Sequence, residues 1–207
     1  MGSAPNTMAV STGRLESFSD GVMAVAITLL VLDLRVPAPG SHHSLASGLG
    51  SEWPHYAAYV VSFATIGIIW INHHAAVLRL READPTILLA NLLLLMTVVA
   101  LPFATSLMAS YVNRSQGEHL AAGVYAGSLL LMSAAFTVFN WQTLIRRPHL
   151  LRGELTPDRR RAILRRAVSG LVPYAVAAAL APLSAYATLG ICAAVAVFYA
   201  LPASRPE

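Results

Sequence analysis

Charged residues are scarce in this sequence. Asp, Glu, Lys and Arg make up only 12% of its 207 residues, about half the share that is usual in a soluble domain. Lysine is absent, so all 14 basic residues are arginine. The single cysteine, Cys192, excludes an intramolecular disulfide and a thiolate metal cluster. Hydrophobic residues make up 56% of the chain, and the mean hydropathy is +0.60. This composition predicts a polytopic membrane protein.

The sequence also lacks the common motifs of catalysis. It has no G-x-S-x-G nucleophile motif, no Walker A loop, no metalloprotease motif and no paired catalytic carboxylates. The adjacent His73 and His74 point about 100° apart on a helix, and no further ligand follows at metal-binding spacing. We therefore expect no enzyme activity, no catalytic residue, no metal site and no cofactor. The net charge of +4 is assigned to membrane topology, so no nucleic-acid partner is expected.

Long apolar runs predict an all-α fold, because a membrane-spanning helix needs about 20 predominantly apolar residues. Turn residues and charges divide the chain into six such runs. The Asp84-Pro85 and Thr156-Pro157 pairs are helix-start signals, and the second of them predicts an additional basic helix before the fifth run. The predicted spans are Phe18–Leu34, Pro54–His73, Thr86–Met108, His119–Gln142, Val168–Pro182 and Leu183–Leu201.

The domain organisation predicted from these runs is simple. Residues 1–13 are polar and rich in small side chains, so we expect a disordered segment there. Residues 14–202 form the six-helix transmembrane domain, and residues 203–207 form a tail. The first run is interpreted as a retained helix and not as a cleaved signal peptide, because Asp20 interrupts the start of its apolar core and five more runs follow.

The arginines predict the orientation in the membrane. With the N-terminus in the cytoplasm, only Arg35 and Arg114 lie outside. The other twelve lie inside: Arg14, Arg79, Arg81, Arg205 and the eight between Arg146 and Arg166. This asymmetry favours a cell-membrane protein with both termini in the cytoplasm. The arginine-rich segment could also clamp anionic lipid, but retention of positive charge on the inside explains it without a ligand.

Polar residues from four helices are predicted to meet at one depth. Ser19 and Asp20 begin the first helix, and Asn91 lies about 10 Å into the third. The second helix ends with Trp70, Asn72, His73 and His74, and the fourth closes with Asn140 and Gln142. Because all of these positions fall in the inner half of the bilayer, a hydrogen-bonded network between the helices is plausible. The alternatives are an interfacial position for Trp70 and a solvated helix end for His74.

The first helix has a candidate pore face. Gly21, Val25, Thr28 and Leu32 follow one another at three- and four-residue spacing, and Asp33 stands near the outer mouth. Several copies around an axis would form a hydroxyl ring between aliphatic constrictions, which can gate a pore by dewetting. From periodicity alone, the simpler interpretation is that these residues pack against neighbouring helices while Thr28 bonds to its own backbone.

The same residues resemble a known family. The pattern R-x-x-x-F-S-D at Arg14, Phe18, Ser19 and Asp20, followed by A-I-T-L-L-V-L, is similar to the signature of the transmembrane protein 175 family, which contains the endolysosomal potassium channel and prokaryotic relatives. The W-I-N-H segment beginning at Trp70 and the third-helix pattern of Asn91 with L-P-F also resemble that family.

The resemblance implies a six-helix subunit that forms a homotetramer with the first helix lining a central pore. It implies pore-constricting roles for Val25, Thr28 and Leu32. It further implies that Ser19, Asp20, Trp70 and His73 join the helices near the inner end of the pore. We predict that Arg14, Phe18 and Asn91 belong to the same network.

The predicted function is therefore passive, potassium-permeable cation conduction. Its partners are potassium and other monovalent cations, the lipid bilayer and three further copies of the chain. One alternative is a small proton-coupled secondary transporter in which Asp20 and His73 titrate. Another is an accessory subunit that does not conduct.

Overall fold

The computed structural model describes residues 10–38 and 44–200, and these are almost entirely helical. Helix α1 is continued by a 3-10 turn at Leu30–Asp33, and α5 is continued by a π-helical turn at Gln142–Arg146 and a 3-10 turn at Pro148–Leu150. The helices are α1 Thr12–Leu29, α2 Leu45–Ser51, α3 Trp53–Val77, α4 Pro85–Tyr111, α5 Glu118–Trp141, α6 Pro157–Ser169, α7 Leu171–Leu180 and α8 Ala185–Ala200.

The all-α membrane fold predicted from the apolar runs is confirmed. Five helical segments within the described residues are long and apolar enough to cross a membrane, and α8 is a shorter apolar helix. The five are Thr12–Asp33, Trp53–Val77, Pro85–Tyr111, Glu118–Arg146 and Pro157–Leu180. The first helix begins six residues before the predicted Phe18, because a polar turn that hydropathy does not detect precedes the apolar run.

The predicted helix starts before α4 and α6 are also observed. The Asp84 carboxylate accepts a hydrogen bond from the Ile87 backbone N–H at 2.9 Å, and proline occupies the first turn of α4. At α6, the Thr156 hydroxyl accepts from the Arg159 N–H at 3.4 Å. Both caps satisfy backbone donors that the first turn of a helix leaves free.

The fifth predicted span differs in its limits. Val168 belongs to α6, and the chain changes helix at Gly170 before α7 begins at Leu171. Pro173 supplies the reason: its ring clashes with the carbonyl of Ser169, four residues earlier, and it has no N–H to offer that carbonyl. Helix α7 then ends at Leu180, two residues before Pro182.

One end of the bundle carries a small collar of backbone pairings. Strand β1, Val10–Ser11, pairs antiparallel with β2, Glu82–Ala83, and Leu80 bridges to Leu151. The Arg152 guanidinium donates to the Leu80 carbonyl at 2.7 Å and to the Thr12 hydroxyl at 3.2 Å. The collar therefore ties the start of α1 to the α3–α4 and α5–α6 connections.

The collar also bears on the predicted terminal segments. Most of residues 1–13 lies outside the described residues, but residues 10–13 form β1 and the first residues of α1. The predicted tail, residues 203–207, also lies outside the described residues.

Two apolar clusters form the interior. The larger lies among α1, α3, α4, α5, α7 and α8, and includes Met23, Leu94, Leu101, Tyr125, Leu129 and Cys192. The smaller lies beside the collar and joins Leu15 of α1 to Val77, Leu80, Ile87 and Phe139. Helix α1 thus contributes one face to both clusters, with Leu15, Met23, Ala26 and Leu30 buried.

Removing the Asp84 side chain should destabilise the fold in two separable ways. Asp84 caps α4 and also pairs with the Arg147 guanidinium at 2.5 Å. We expect Asp84→Ala to cost about 2–3 kcal/mol, because it removes both the cap and the charged partner. Asp84→Asn keeps an acceptor for the cap and should cost about half as much. Unfolding in detergent measures both variants, and equal losses would contradict this division.

Candidate functional site

The site is built on two antiparallel helices, α1 and α3, with α4 behind them. Asp20 of α1 faces Trp70 of α3, and Glu16 faces His74. Each pair is one helical turn from the other on both helices, because residues four apart share a face. The pairs therefore form two successive rungs between α1 and α3.

The buried centre of the site is a hydrogen-bonded chain through Asn91. The Asn91 amide nitrogen donates to the Ser19 hydroxyl at 3.0 Å, and its amide oxygen lies 2.7 Å from His73 Nε2. Ser19 Oγ in turn donates to the Leu15 carbonyl at 2.8 Å. One side chain of α4 thus joins Ser19 of α1 to His73 of α3.

The His73 ring is buried against Phe139. It has no exposed surface, and the Phe139 ring packs against it with centroids 5.3 Å apart. Since an amide oxygen can only accept, Nε2 carries the proton that it donates to Asn91. Among the residues described, Nδ1 has no hydrogen-bond partner. Within the described residues His73 therefore joins the network through Nε2 alone.

The two rungs are more exposed than the centre. Trp70 Nε1 donates to the Asp20 carboxylate at 2.8 Å, and His74 Nδ1 lies 2.7 Å from the Glu16 carboxylate. The Trp70 and His74 rings stack with centroids 6.2 Å apart. Sequence reasoning missed the Glu16–His74 pair. The matching four-residue steps from Glu16 to Asp20 and from Trp70 to His74 were the signal that could have found it.

Other polar residues near the site are not joined to it. Arg14 and Phe18 are exposed, and the described side chains give neither a hydrogen bond to the network. Asn72 and Asn140 each donate to a carbonyl of their own helix, at 2.7 and 2.9 Å. A metal site is not formed here either: no group of three His, Cys, Asp or Glu side chains among the described residues could hold an ion.

A second polar cluster, which sequence reasoning missed, lies deeper in the bundle. The Ser62 hydroxyl is 2.8 Å from the Thr105 hydroxyl and 3.0 Å from the Tyr125 hydroxyl. These three side chains join α3, α4 and α5. Small hydroxyl residues in the middle of three apolar spans were the available signal.

The candidate pore face of α1 lies opposite its anchored face. Thr28 follows Ser19 by nine residues, which places it about 180° around the helix. Val25 is 57% exposed and Leu32 75% exposed, and Gly21 and Thr28 are exposed as well. Thr28 Oγ1 donates to the Val25 carbonyl at 2.9 Å, as a lone threonine in a helix does. No helix of the same subunit covers this face within the described residues.

The chain is similar to known ion channels over most of its length. Residues 14–102 match the family described as "Endosomal/lysosomal potassium channel TMEM175". A potassium channel of Streptomyces collinus is 40% identical over 188 residues, covering 91% of each chain. The endosomal/lysosomal proton channel TMEM175 of Rattus norvegicus is 34% identical over 144 residues, which are 66% of this chain and 29% of that protein.

A solved structure shares the architecture. The crystal structure of a lysosomal potassium-selective channel TMEM175 homolog from Chamaesiphon minutus superimposes with a TM-score of 0.82 at 37% identity. The match covers 94% of this chain and 98% of that one. The similarity therefore extends over all the helices that position the site.

Asn91→Ala should destabilise the protein more than the same substitution at Asn140. Both residues are buried, at 1% and 2% exposure. However, Asn91 connects three helices, whereas the Asn140 amide bonds only to Phe136 within its own helix. We expect Asn91→Ala to cost about 1–3 kcal/mol more, because it leaves Ser19 and His73 without their shared partner. Unfolding of the two variants in detergent measures the difference in stability. Equal losses of stability would show that the hydrogen-bonded chain through Asn91 does not connect the helices.

Proposed function

This chain belongs to the TMEM175 family of ion channels, and we propose that it is a potassium-permeable cation channel of the cell membrane. In this proposal four copies surround a central pore, and the first helix of each copy lines it. Conduction is passive, and hydrophobic constrictions take the place of a carbonyl selectivity filter. Other monovalent cations are expected to pass less readily.

The observation that carries this proposal is the division of α1 into two faces. Leu15, Ser19 and Met23 are buried against the bundle, while Val25 and Leu32 are largely exposed on the other side. In one subunit 28% of the α1 span is buried, against 39–44% for the spans of α3, α4 and α5 and 17% for Pro157–Leu180. A helix with one anchored face and one bare face is suited to a position between the bundle and a pore axis.

Each residue of the bare face has a separate part in the proposed pore. Val25 and Leu32 form aliphatic rings that gate by dewetting. Thr28, between them, offers hydroxyl oxygens to a partly dehydrated ion, since its donated bond to Val25 leaves its lone pairs free. Asp33, at the end of the following turn, attracts cations toward the outer mouth.

The network is proposed to hold the pore helices in register and not to bind ions. Ser19, His73 and Asn91 are buried in the chain described above, away from the face of Thr28. Asp20 is held by the Trp70 indole. Arg14 and Phe18 are exposed in a single subunit, so their part in the network requires a neighbouring copy.

The proposed orientation places both termini in the cytoplasm. It puts the collar, the start of α1 and the twelve inner arginines on the cytoplasmic side, in agreement with the distribution of positive charge. The Asp20 and His73 network then lies toward the inner end of the pore.

Proton permeation is a second candidate function. The rat relative and others of its kind are named proton channels, and a pore lined by a hydroxyl ring can carry protons along water.

A proton-coupled carrier is less well supported, because Asp20 and His73 bond to different partners and the described residues give no direct contact between them. Liposomes with an imposed potassium gradient distinguish a channel from a carrier. A channel dissipates the gradient without a second substrate, whereas a carrier gives saturable, proton-dependent flux.

Alanine substitutions on the bare face should raise potassium flux. Val25→Ala and Leu32→Ala each shorten an aliphatic ring, so the pore becomes wider and easier to wet, and we expect a several-fold increase. Thr28→Ala should instead reduce the preference for potassium over sodium, because it removes the hydroxyl ring. Flux from proteoliposomes measures all three. Leu93→Ala, an exposed leucine of α4, is the matched control and should behave as wild type. Unchanged flux in all three pore variants would overturn the proposed lining.

A cysteine placed at Leu32 should make the channel sensitive to a charged thiol reagent. The chain has one native cysteine, so a Cys192→Ser background allows a single reactive site. We expect Leu32→Cys to be blocked, because the reagent adds charge and bulk at four positions of one ring in the pore wall. Val172→Cys, an exposed position on α7, serves as the control. Block at Val172 alone, or a complex whose mass is not that of four 22.0 kDa subunits, would contradict the arrangement.

A further inference from the structure

A cavity lies inside the subunit at its arginine-rich end, apart from the candidate pore face. Its volume is about 200 Å³, and α3, α5, α6, α7 and α8 all contribute to its lining. On α3 the lining runs from Thr65, in the middle of the helix, to Arg79 just beyond its end. That is about 20 Å at 1.5 Å per residue, slightly more than the hydrocarbon depth of one leaflet.

The cavity wall combines hydroxyl groups with a set of large apolar side chains. It includes Ile68 and Ile69 of α3, Met132 and Phe136 of α5, and Ile163 of α6. An apolar cavity of 150 Å³ is large enough to take up benzene, so this one can accept part of an acyl chain. Its extent along α3 is long enough for an elongated apolar group.

Two arginines line the same cavity without a counter-charge. Among the described residues, neither Arg79 nor Arg166 has an acidic side chain within salt-bridge distance or a side-chain hydrogen bond. By contrast, Arg147 pairs with Asp84 and Arg161 with Asp158. Arg79 is half-buried, and its pKa is lowered first by burial and second by the nearby Arg159. An anion at this place would offset the cost of desolvating the Arg79 guanidinium, and Arg166, which is exposed, would add a second positive charge.

Two amide oxygens add acceptors to the cavity. Asn72 and Asn140 both line the cavity, and the side-chain amide N–H of each donates a hydrogen bond to a carbonyl of its own helix. Their oxygens have no donor among the described residues. A ligand that carries hydroxyl groups next to its negative charge can supply those donors.

We propose that this cavity binds one anionic glycerophospholipid from the leaflet at the arginine-rich end, with its phosphate between Arg79 and Arg166 and an acyl chain along Ile68, Met132 and Phe136. Basic pockets between membrane helices are known to take anionic headgroups. From the sequence, these arginines needed only a topological role. The cavity distinguishes Arg79 and Arg166 from the other arginines, because it joins their charge to a buried apolar path.

The charge of the site is tested with phosphatidylglycerol as the probe. The purified protein is mixed with phosphatidylglycerol or phosphatidylcholine in detergent, and bound lipid per subunit is counted by native mass spectrometry. We expect the wild type to retain one phosphatidylglycerol and to prefer it over phosphatidylcholine. The Arg79→Gln, Arg166→Gln double variant should bind it about thirtyfold more weakly, which corresponds to about 1 kcal/mol for each arginine. The Arg161→Gln, Arg165→Gln double variant is the control. It also loses two positive charges, but both residues lie outside this cavity, so it should bind phosphatidylglycerol as the wild type does.

The apolar path is tested separately, which keeps the proposal falsifiable if the arginine variants fold poorly. Ala167 lines the cavity, whereas Ala162 of the same helix is exposed and does not. Ala167→Phe should fill the path and reduce lipid retention at least tenfold, while Ala162→Phe should leave it unchanged. Equal loss in the two arginine pairs, equal retention in the two phenylalanine variants, or an absence of bound lipid from the wild type would each overturn the proposal. Because lipid is counted directly, these results do not depend on whether the protein conducts.

Discussion

The hydrogen-bonded chain from Ser19 through Asn91 to His73 is the constraint on which the arrangement of the bundle depends. In water, burial of apolar surface would hold α1 against its neighbours, but lipid tails are as apolar as leucine, so little is gained by exchanging lipid for protein. A buried polar group differs from an apolar one, because lipid tails offer it no hydrogen bond and its partner within the membrane must come from the protein. Asn91 provides one partner to α1 and another to α3. The three helices are thereby fixed in rotation as well as in position.

The rotation of α1 determines which of its residues are left bare. With Ser19 directed at Asn91, the helix presents Val25, Thr28 and Leu32 on the opposite side. A shift of one residue would turn the helix by about 100° and direct either Phe18 or Asp20 at the buried amide. Neither could replace the hydroxyl, since phenylalanine has no polar atom and a buried carboxylate would be costly. The anchor and the proposed pore lining are therefore two consequences of one helix orientation.

Much of this arrangement was predictable, and the exceptions have physical causes. Apolar runs located the helices, and helical spacing brought Trp70 and His73 to the face that meets α1. Hydropathy missed the early start of α1 because that turn is held by Arg152 and the strand pairing, which are contacts with distant parts of the chain. The Glu16–His74 pair was missed because charged residues at helix ends resemble solvated ones. The break before α7 was readable in principle, since Pro173 acts on the carbonyl of Ser169.

The arginines illustrate a further limit of sequence reasoning, because sequence cannot separate their role in membrane topology from their role as partners of specific groups. The positive-inside bias acts on the total charge of a short loop and does not depend on which arginine has a partner. Partner assignment is a property of the folded chain: Asp84 neutralises Arg147, while backbone carbonyls occupy Arg152 and Arg160. The arginines that remain available to a ligand are those without a partner among the described contacts. Topology therefore explains why these arginines are on one side of the membrane, and packing explains why only some of them face an apolar cavity.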